Sequence, residues 1–390
     1  MASTLRPRTL PEGEPLIDSA TLAIVLTLAV AASLLSIRIG VSVAILEILM
    51  GIVAGNYLGI VGTEHEWLLF LAGLGSVVLT FLAGAEIDPD AMRRTWKTSL
   101  GIGVLSFISP FLLAWWFTYL VLGWSWTASV LAGVALSTTS VAVVYVVLVE
   151  AGISRTETGK VILSSCFVTD FGTAFALSSL FTPPNLYVIF LAIALLVTIL
   201  VVPRSMDGLF GKLRGQPGEP EVKVLLFLVV TLGVLAEFAG VHAVLPAYVL
   251  GLMTANVLAS HREVLLRTRT LALSFLTPFF FINAGIGVSL VAVVTGLGLI
   301  GALFFVKVGA KFLGVLPATA RFVGKDSVYV TLLMSTGLTF GTISAQYGLA
   351  SGIIDRTQYS ILVMVVILTA VVPTIIAQKW FNPSEEGGVT

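Results

Sequence analysis

The sequence predicts an all-α polytopic membrane protein of about thirteen transmembrane helices, in two inverted six-helix repeats with two broken, crossing helices. Three observations predict it. First, of 390 residues, 57% are hydrophobic and 11% charged, where soluble domains carry roughly 25% charged residues; the mean hydropathy is +1.05. Apolar runs of about twenty residues recur from end to end, which a soluble core does not need and a chain crossing a ~30 Å hydrocarbon layer does. Second, the charges sort by side. With thirteen spans and the N-terminus outside, 16 of the 21 basic residues fall inside and only Arg6, Arg8 and Arg356 outside, with Lys307 and Lys311 within a span. Positive loops stay cytoplasmic, and a miscounted helix would scramble that imbalance. Third, the linker RSMDGLFGKLRGQPGEPEVK (204–223) follows the seventh span and leaves six spans on either side of one connecting helix. Seven spans separate the starts of the two sets, so the sets cross in opposite directions.

Charges, prolines and glycines bound the spans. Residues 1–16 are polar and lack a signal-peptide apolar region, so the first span, 17–38, stays as a helix. Spans 41–60, 66–85, 97–121, 125–151, 158–182 and 185–203 follow, the last ending at Pro203. Spans 222–240 and 241–260 run almost together at Gly240. Span 268–288 contains Pro278, expected to kink it, and 292–316, 326–349 and 357–380 complete the set.

Composition excludes several function classes. Zero net charge gives nothing to attract nucleic acid, and the single Cys166 rules out an internal disulfide or a cysteine metal cage. His65, His242 and His261 are scattered. No phosphate-binding loop, dinucleotide fingerprint or HExxH occurs, so no cofactor is expected. An enzyme is not expected either, because the one candidate acid has no evident nucleophile–base partner.

That acid is Asp170, near the middle of the otherwise uncharged VILSSCFVTDFGTAFALSSLF (161–181). A carboxylate there costs at least ~2.5 kcal/mol on insertion scales, and such groups often mark an ion or proton path; the alternative is an acid that only ties helices together. Thr169 adds a hydroxyl beside it, and Cys166 lies one turn earlier, packed against the site. Hard oxygen ligands suit Na+, K+ or H3O+. The fifth span carries LSTTSVAV (136–143) and its counterpart, the twelfth, MSTGLTFGTIS (334–344). Hydroxyls at mid-span either bond back to their own helix or occupy a break where freed carbonyls meet an ion; two clusters at matching repeat positions point to breaks. Lys307 and Lys311 share one face of the eleventh span. Either they snorkel to the interface, or one faces the ion path or neutralises an acid. Glu47 and Glu237 are less central, and pairing or capping serves them as well as transport.

The ordered motifs VAILEILMGIVAG, GSVVLTFLAGAEID, STTSVAVVYVVLVEAG, VTDFG, LAEFAGVHAVLPAYVLGLM, SFLTPFFFINAGI and GAKFLG resemble the monovalent cation/proton antiporter superfamily, Na+/H+ antiporters and Kef-type relatives, over nearly the whole chain. The resemblance implies a homodimer. A dimerisation domain would comprise 17–96 and 222–291, and a mobile core 97–182 and 292–382, with 183–221 as linker helix and loop and 383–390 as tail. It implies that Asp170 is the ion-binding aspartate, that Lys311 is the core lysine of the AKFLG context, and that Thr139 and Ser140 lie in the unwound fifth helix. Two departures stand out. Thr169 occupies a position that is commonly Asp, Asn or Gln, and STGLTFG replaces an Arg-Gly-Glu type motif in the twelfth helix. No nucleotide-sensing domain like that of the K+ efflux relatives is expected after the last span, which favours a plain antiporter.

The expectation is a secondary antiporter in the plasma (inner) membrane of a prokaryote, C-terminus cytoplasmic, exchanging Na+ in preference to K+ for H+, electroneutrally. Asp170 would bind cation and proton in turn, with Thr169, Thr139, Ser140, Ser335 and Thr336 completing the site and Lys311 or Lys307 tuning its charge. A sodium-coupled solute symporter and a non-transporting sensor on a transporter fold are the alternatives.

Overall fold

The computed structural model describes residues 14–381 except 40–41, 61–64, 88, 155, 182–185 and 242, and the described residues contain helices and no strand. The ends, including Arg6, Arg8 and the tail 383–390, together with Arg155 and His242, lie outside the described residues. The first six spans are α1 (Glu14–Ile39), α2 (Val43–Tyr57), α3 (Glu66–Ala85), α4 (Pro89–Trp116, prolonged by a π turn to Val121), the pair α5 (Trp126–Ser137) and α6 (Val141–Glu150), and α7 (Glu157–Phe181). The connecting helix is α8 (Leu186–Leu213). The second set is α9 (Pro220–Phe238), α10 (Val244–Ser260), α11 (Arg262–Leu271) with α12 (Thr277–Ile286), the short α13 (Leu290–Thr295) with α14 (Leu297–Phe322), the pair α15 (Ser327–Met334) and α16 (Thr339–Ala350), and α17 (Arg356–Trp380). Nine continuous helical stretches among the described residues are long and apolar enough to cross a membrane; α2, α5 and α10 are shorter and apolar.

Three expected boundaries move. α4 begins at Pro89, not 97, because its first turns run on past the polar Arg93–Lys97 segment. α8 passes through Pro203 to Leu213 and shortens the expected linker; Met206 and Phe210 on its inner end are buried against α9 and α10, and that burial holds the extra turns. The tenth span begins at Arg262, and a π turn over Ala272–Leu276 precedes Pro278. The proline has no N–H for the helical ladder, and the wider turn falls where that bond is missing. Serine and aspartate start several elements: Ser125 accepts from Ala128 N ahead of α5, Ser289 from Ala292 N ahead of α13, and Asp355 and Gln358 form a capping box on α17.

The inverted repeat is visible in the packing. A Cβ on Gly51 would lie 2.1 Å from the Ile282 carbonyl, and one on Gly285 2.0 Å from that of Ile48, so α2 and α12 cross backbone to backbone. α3 and α10 cross the same way, at 2.4 Å from Gly84 to the Tyr248 carbonyl and 2.1 Å from Gly251 to that of Phe81. These are the second span on the tenth and the third on the ninth, the pair that a two-fold relation exchanges. The sequence carries the same echo in GIVAGN (51–56) and GLMTAN (251–256). Around these crossings, one hydrophobic cluster joins α5, α7, α16 and α17 to α2, α10 and α12. Another, on Val144, Ile162, Cys166, Val315 and Met334, joins α6, α7, α14 and α15. Leu186, Phe190, Ile193 and Leu196 on α8 are exposed, as expected of a helix face turned to lipid.

Candidate functional site

Both hydroxyl clusters sit in helix breaks. α5 stops at Ser137 and α6 starts at Val141; α15 stops at Met334 and α16 starts at Thr339. The two breaks touch. Ser140 N donates to Thr336 Oγ1 at 3.4 Å, and a Cβ on Gly337 would fall 2.8 Å from Thr138 Oγ1. Only a residue without a side chain lets the second break come so near the first. The hydroxyls also bond back to their own helices: Thr138 to Ala135 O (3.1 Å), Ser335 to Thr331 O (2.7 Å) and Thr336 to Leu333 O (2.7 Å). The two readings of the clusters are therefore compatible. A hydroxyl whose proton is turned to a carbonyl keeps its lone pairs for a donor or a cation.

Asp170 lies inside α7, 2% exposed. Its Oδ1 is enclosed and accepts no hydrogen bond, and no ion pair among the described residues includes it. An enclosed acceptor without a donor is rare and calls for an explanation; a bound proton or cation supplies one. Thr169 points elsewhere, to Gly103 O on α4 (3.2 Å) and Ser165 O (3.0 Å). Cys166, one turn before Asp170, meets Met334 sulfur to sulfur at 3.7 Å, and its carbonyl faces the Thr139 hydroxyl at 3.5 Å. α7 is thereby tied to both breaks, with Asp170 one turn further on.

The lysines do not snorkel. Both are fully buried, and each ammonium serves one break. Lys311 donates to Ser106 Oγ on α4 (2.6 Å) and to the carbonyl of Ser137, the last residue of α5 (3.0 Å). Lys307 donates to Thr369 Oγ1 on α17 (3.1 Å), and its Nζ lies 2.2 Å from where a Gly337 Cβ would stand. A half-helix that ends inside the membrane leaves carbonyls unpaired and a partial negative charge at its C-terminus, and an ammonium there offsets both. The field of Lys311 also reaches Asp170. Of the other two acids, Glu47 is buried in α2 and Glu237 exposed at the end of α9.

Sequence reasoning missed Ser106 and Thr369, which hold the lysines, and Tyr248, whose phenol donates to Phe167 O at 3.0 Å. Each is a lone hydroxyl in an apolar span, indistinguishable from the many that bond back to their own helix.

A buried carboxylate one turn from the residue that joins two touching, hydroxyl-bearing helix breaks suits a hard monovalent cation or a proton. Residues 23–382 match the family model described as sodium/hydrogen exchanger, transmembrane. The chain belongs to that family. The match confirms the resemblance carried by the motifs and makes the chain an integral membrane protein of a transporter family. It is 26% identical to the probable Na+/H+ antiporter 3 of Methanocaldococcus jannaschii over 85% of its own length and 88% of the relative's. It is 27% identical to the Na+/H+-K+ antiporter GerN of Bacillus cereus over 87% and 89%. The sodium proton antiporter MjNhaP1 of Methanocaldococcus jannaschii superposes with a TM-score of 0.70 at 16% identity, over 94% of this chain and 97% of that one. That likeness establishes the family member's fold.

Proposed function

We propose that the protein is a homodimeric antiporter of the plasma membrane that exchanges Na+, in preference to K+, for H+ by alternating access, with its N-terminus outside. The observation that carries the reading is Asp170 Oδ1, buried and unpartnered one turn beyond Cys166, which touches both helix breaks. The names of the relatives support the ion choice, since both include Na+ and one adds K+.

The coupling follows from desolvation. A bare carboxylate is expensive to carry through a low-dielectric region, whereas a protonated or cation-bound one is not. Asp170 therefore crosses loaded with one or the other, and occupancy by either excludes its rival. The Thr139, Ser140, Ser335 and Thr336 hydroxyls and the carbonyls around them complete the cation shell. Thr169 registers α7 on α4 and does not serve as a proton carrier. Lys311 and Lys307 hold the half-helix ends, and Lys311 sets the charge felt at Asp170. The moving body is the core, 97–182 with 292–382, and the scaffold is 17–96 with 222–291.

The test is flux in sealed liposomes under an imposed proton gradient, with Na+, K+, Li+ and organic solutes offered in turn. Na+-dependent proton movement is expected, and Asp170→Asn should abolish it while the protein inserts normally. Full exchange by a well-inserted Asp170→Asn protein would remove Asp170 from the mechanism. Stimulation by an organic solute would make the protein a symporter.

A further inference from the structure

Two buried tyrosines each donate a phenolic hydrogen bond across the boundary between scaffold and core, in opposite senses. Tyr248, on scaffold helix α10, donates to the carbonyl of Phe167 on core helix α7 at 3.0 Å, one turn before Asp170. Tyr359, on core helix α17, donates to the carbonyl of Ala284 on scaffold helix α12 at 2.6 Å. Each side chain is 1% exposed.

Both sit where the packing holds them firmly. The backbone of Tyr248 is part of the glycine crossing with α3, 2.4 Å from where a Gly84 Cβ would stand. Its ring lies 6.0 Å from that of Phe171, the residue after Asp170, and 6.2 Å from that of Phe340, just past the second break. The Tyr359 ring fills the space over Gly287, 2.8 Å from where its Cβ would be. Beside it, Arg356 Nε donates to Gly287 O at 3.1 Å, and Ser360 Oγ accepts from Ser289 N at 2.8 Å.

The acceptors decide what such bonds can do. Phe167 lies inside α7, where its carbonyl also takes part in the helical ladder; Ala284 lies in the last turn of α12, and Val288 N, which would close its turn, donates to Gly285 O instead. When Tyr248 leaves, its acceptor is not stranded, so that bond can break without the full penalty of an unsatisfied buried group, while the Ala284 carbonyl needs another donor when Tyr359 leaves. A contact of that kind favours one arrangement of two bodies without welding them.

We propose that Tyr248 and Tyr359 are positioning residues that latch the core in the arrangement seen here. The inference rests on the antiport reading and on its division into core and scaffold. Tyr359 meets the C-terminal end of α12, the outer end under the proposed orientation, and Tyr248 the middle of α7. Movement of the core against the scaffold parts both phenols from their acceptors. Neither residue is a cation ligand.

The test is Tyr248→Phe, Tyr359→Phe and the double variant, with the Na+ KM measured from each face in right-side-out and inverted vesicles. Apparent affinity at a face scales with the fraction of molecules open to it, and the net worth of one hydrogen bond corresponds to about a 2- to 12-fold change in that equilibrium. Each variant should shift the ratio of outer to inner KM by about that factor, both in the same direction, and the double variant by the product. The ratio does not depend on how much protein inserts. A ratio unchanged in both single variants, with or without a fall in kcat, overturns the proposal. A parallel rise of both KM values would make the phenols ligands, and shifts of opposite sign would mean that the two do not hold the same state. Asp170→Asn is run alongside. Loss of exchange there with an unchanged ratio in the tyrosine variants sinks the latches alone, while retained exchange there sinks the antiport reading.

Discussion

At the scale of residues, Lys311 shows how an amine is held inside a membrane without an acid to pair it. Its Nζ is fully buried and donates to Ser106 and to the carbonyl end of α5. Removing a partner from a buried hydrogen-bonded group costs about 1–3 kcal/mol. Lys311→Met should therefore lower the unfolding midpoint in detergent, and Lys311→Arg, which keeps the charge and the donors, should recover part of it. A midpoint unchanged in Lys311→Met would mean that the half-helix end is satisfied some other way. Asp170 was legible in the sequence because a lone acid in an apolar span has few places to hide. The anchors of the lysines were not. Ser106 and Thr369 owe their role to the approach of α4 and α17 to α14, which no local pattern records.

At the scale of elements, the two breaks could be read from hydroxyl clusters at matching positions, and Gly337 marks why they can touch. The glycine crossings could not be read in the same way. Gly51 and Gly251 look like any small residues in membrane helices, although GIVAGN and GLMTAN repeat at an offset of 200 residues. Adding a methyl group at either site drives it into a backbone carbonyl, and such overpacking typically costs about 1–3 kcal/mol. Gly51→Ala and Gly251→Ala should destabilise the protein by similar amounts, as two-fold mates. Gly73→Ala, whose new methyl meets nothing within 4 Å, is the control and should be close to neutral. Thermal unfolding of the three purified variants checks this, and a Gly51→Ala protein as stable as Gly73→Ala would argue against the crossing.

At the scale of the whole molecule, one unpartnered carboxylate at the site sets the charge moved per cycle. Thr169 donates its hydroxyl to Gly103 and Ser165 carbonyls and is not a titratable proton carrier. If Asp170 takes one proton or one monovalent cation on each crossing, the same total charge moves both ways. Exchange should then be indifferent to membrane potential. Proteoliposome Na+ flux with and without an imposed K+/valinomycin potential tests it. Potential-driven Na+ accumulation at equal pH would point to a second proton carrier, with buried Lys311 as the first suspect. The sequence by itself determined the membrane class and placed the acid and the breaks at mid-span, because lipid forces the backbone into helices and makes each intramembrane polar residue conspicuous. The tertiary structure decided which hydroxyls and carbonyls meet which charges. It also decided that Thr169 faces α4 and that two phenols bridge the core and the scaffold of the proposed reading. Those contacts join residues 62 to 205 positions apart, and they arise from close helix crossings whose geometry depends on the whole bundle.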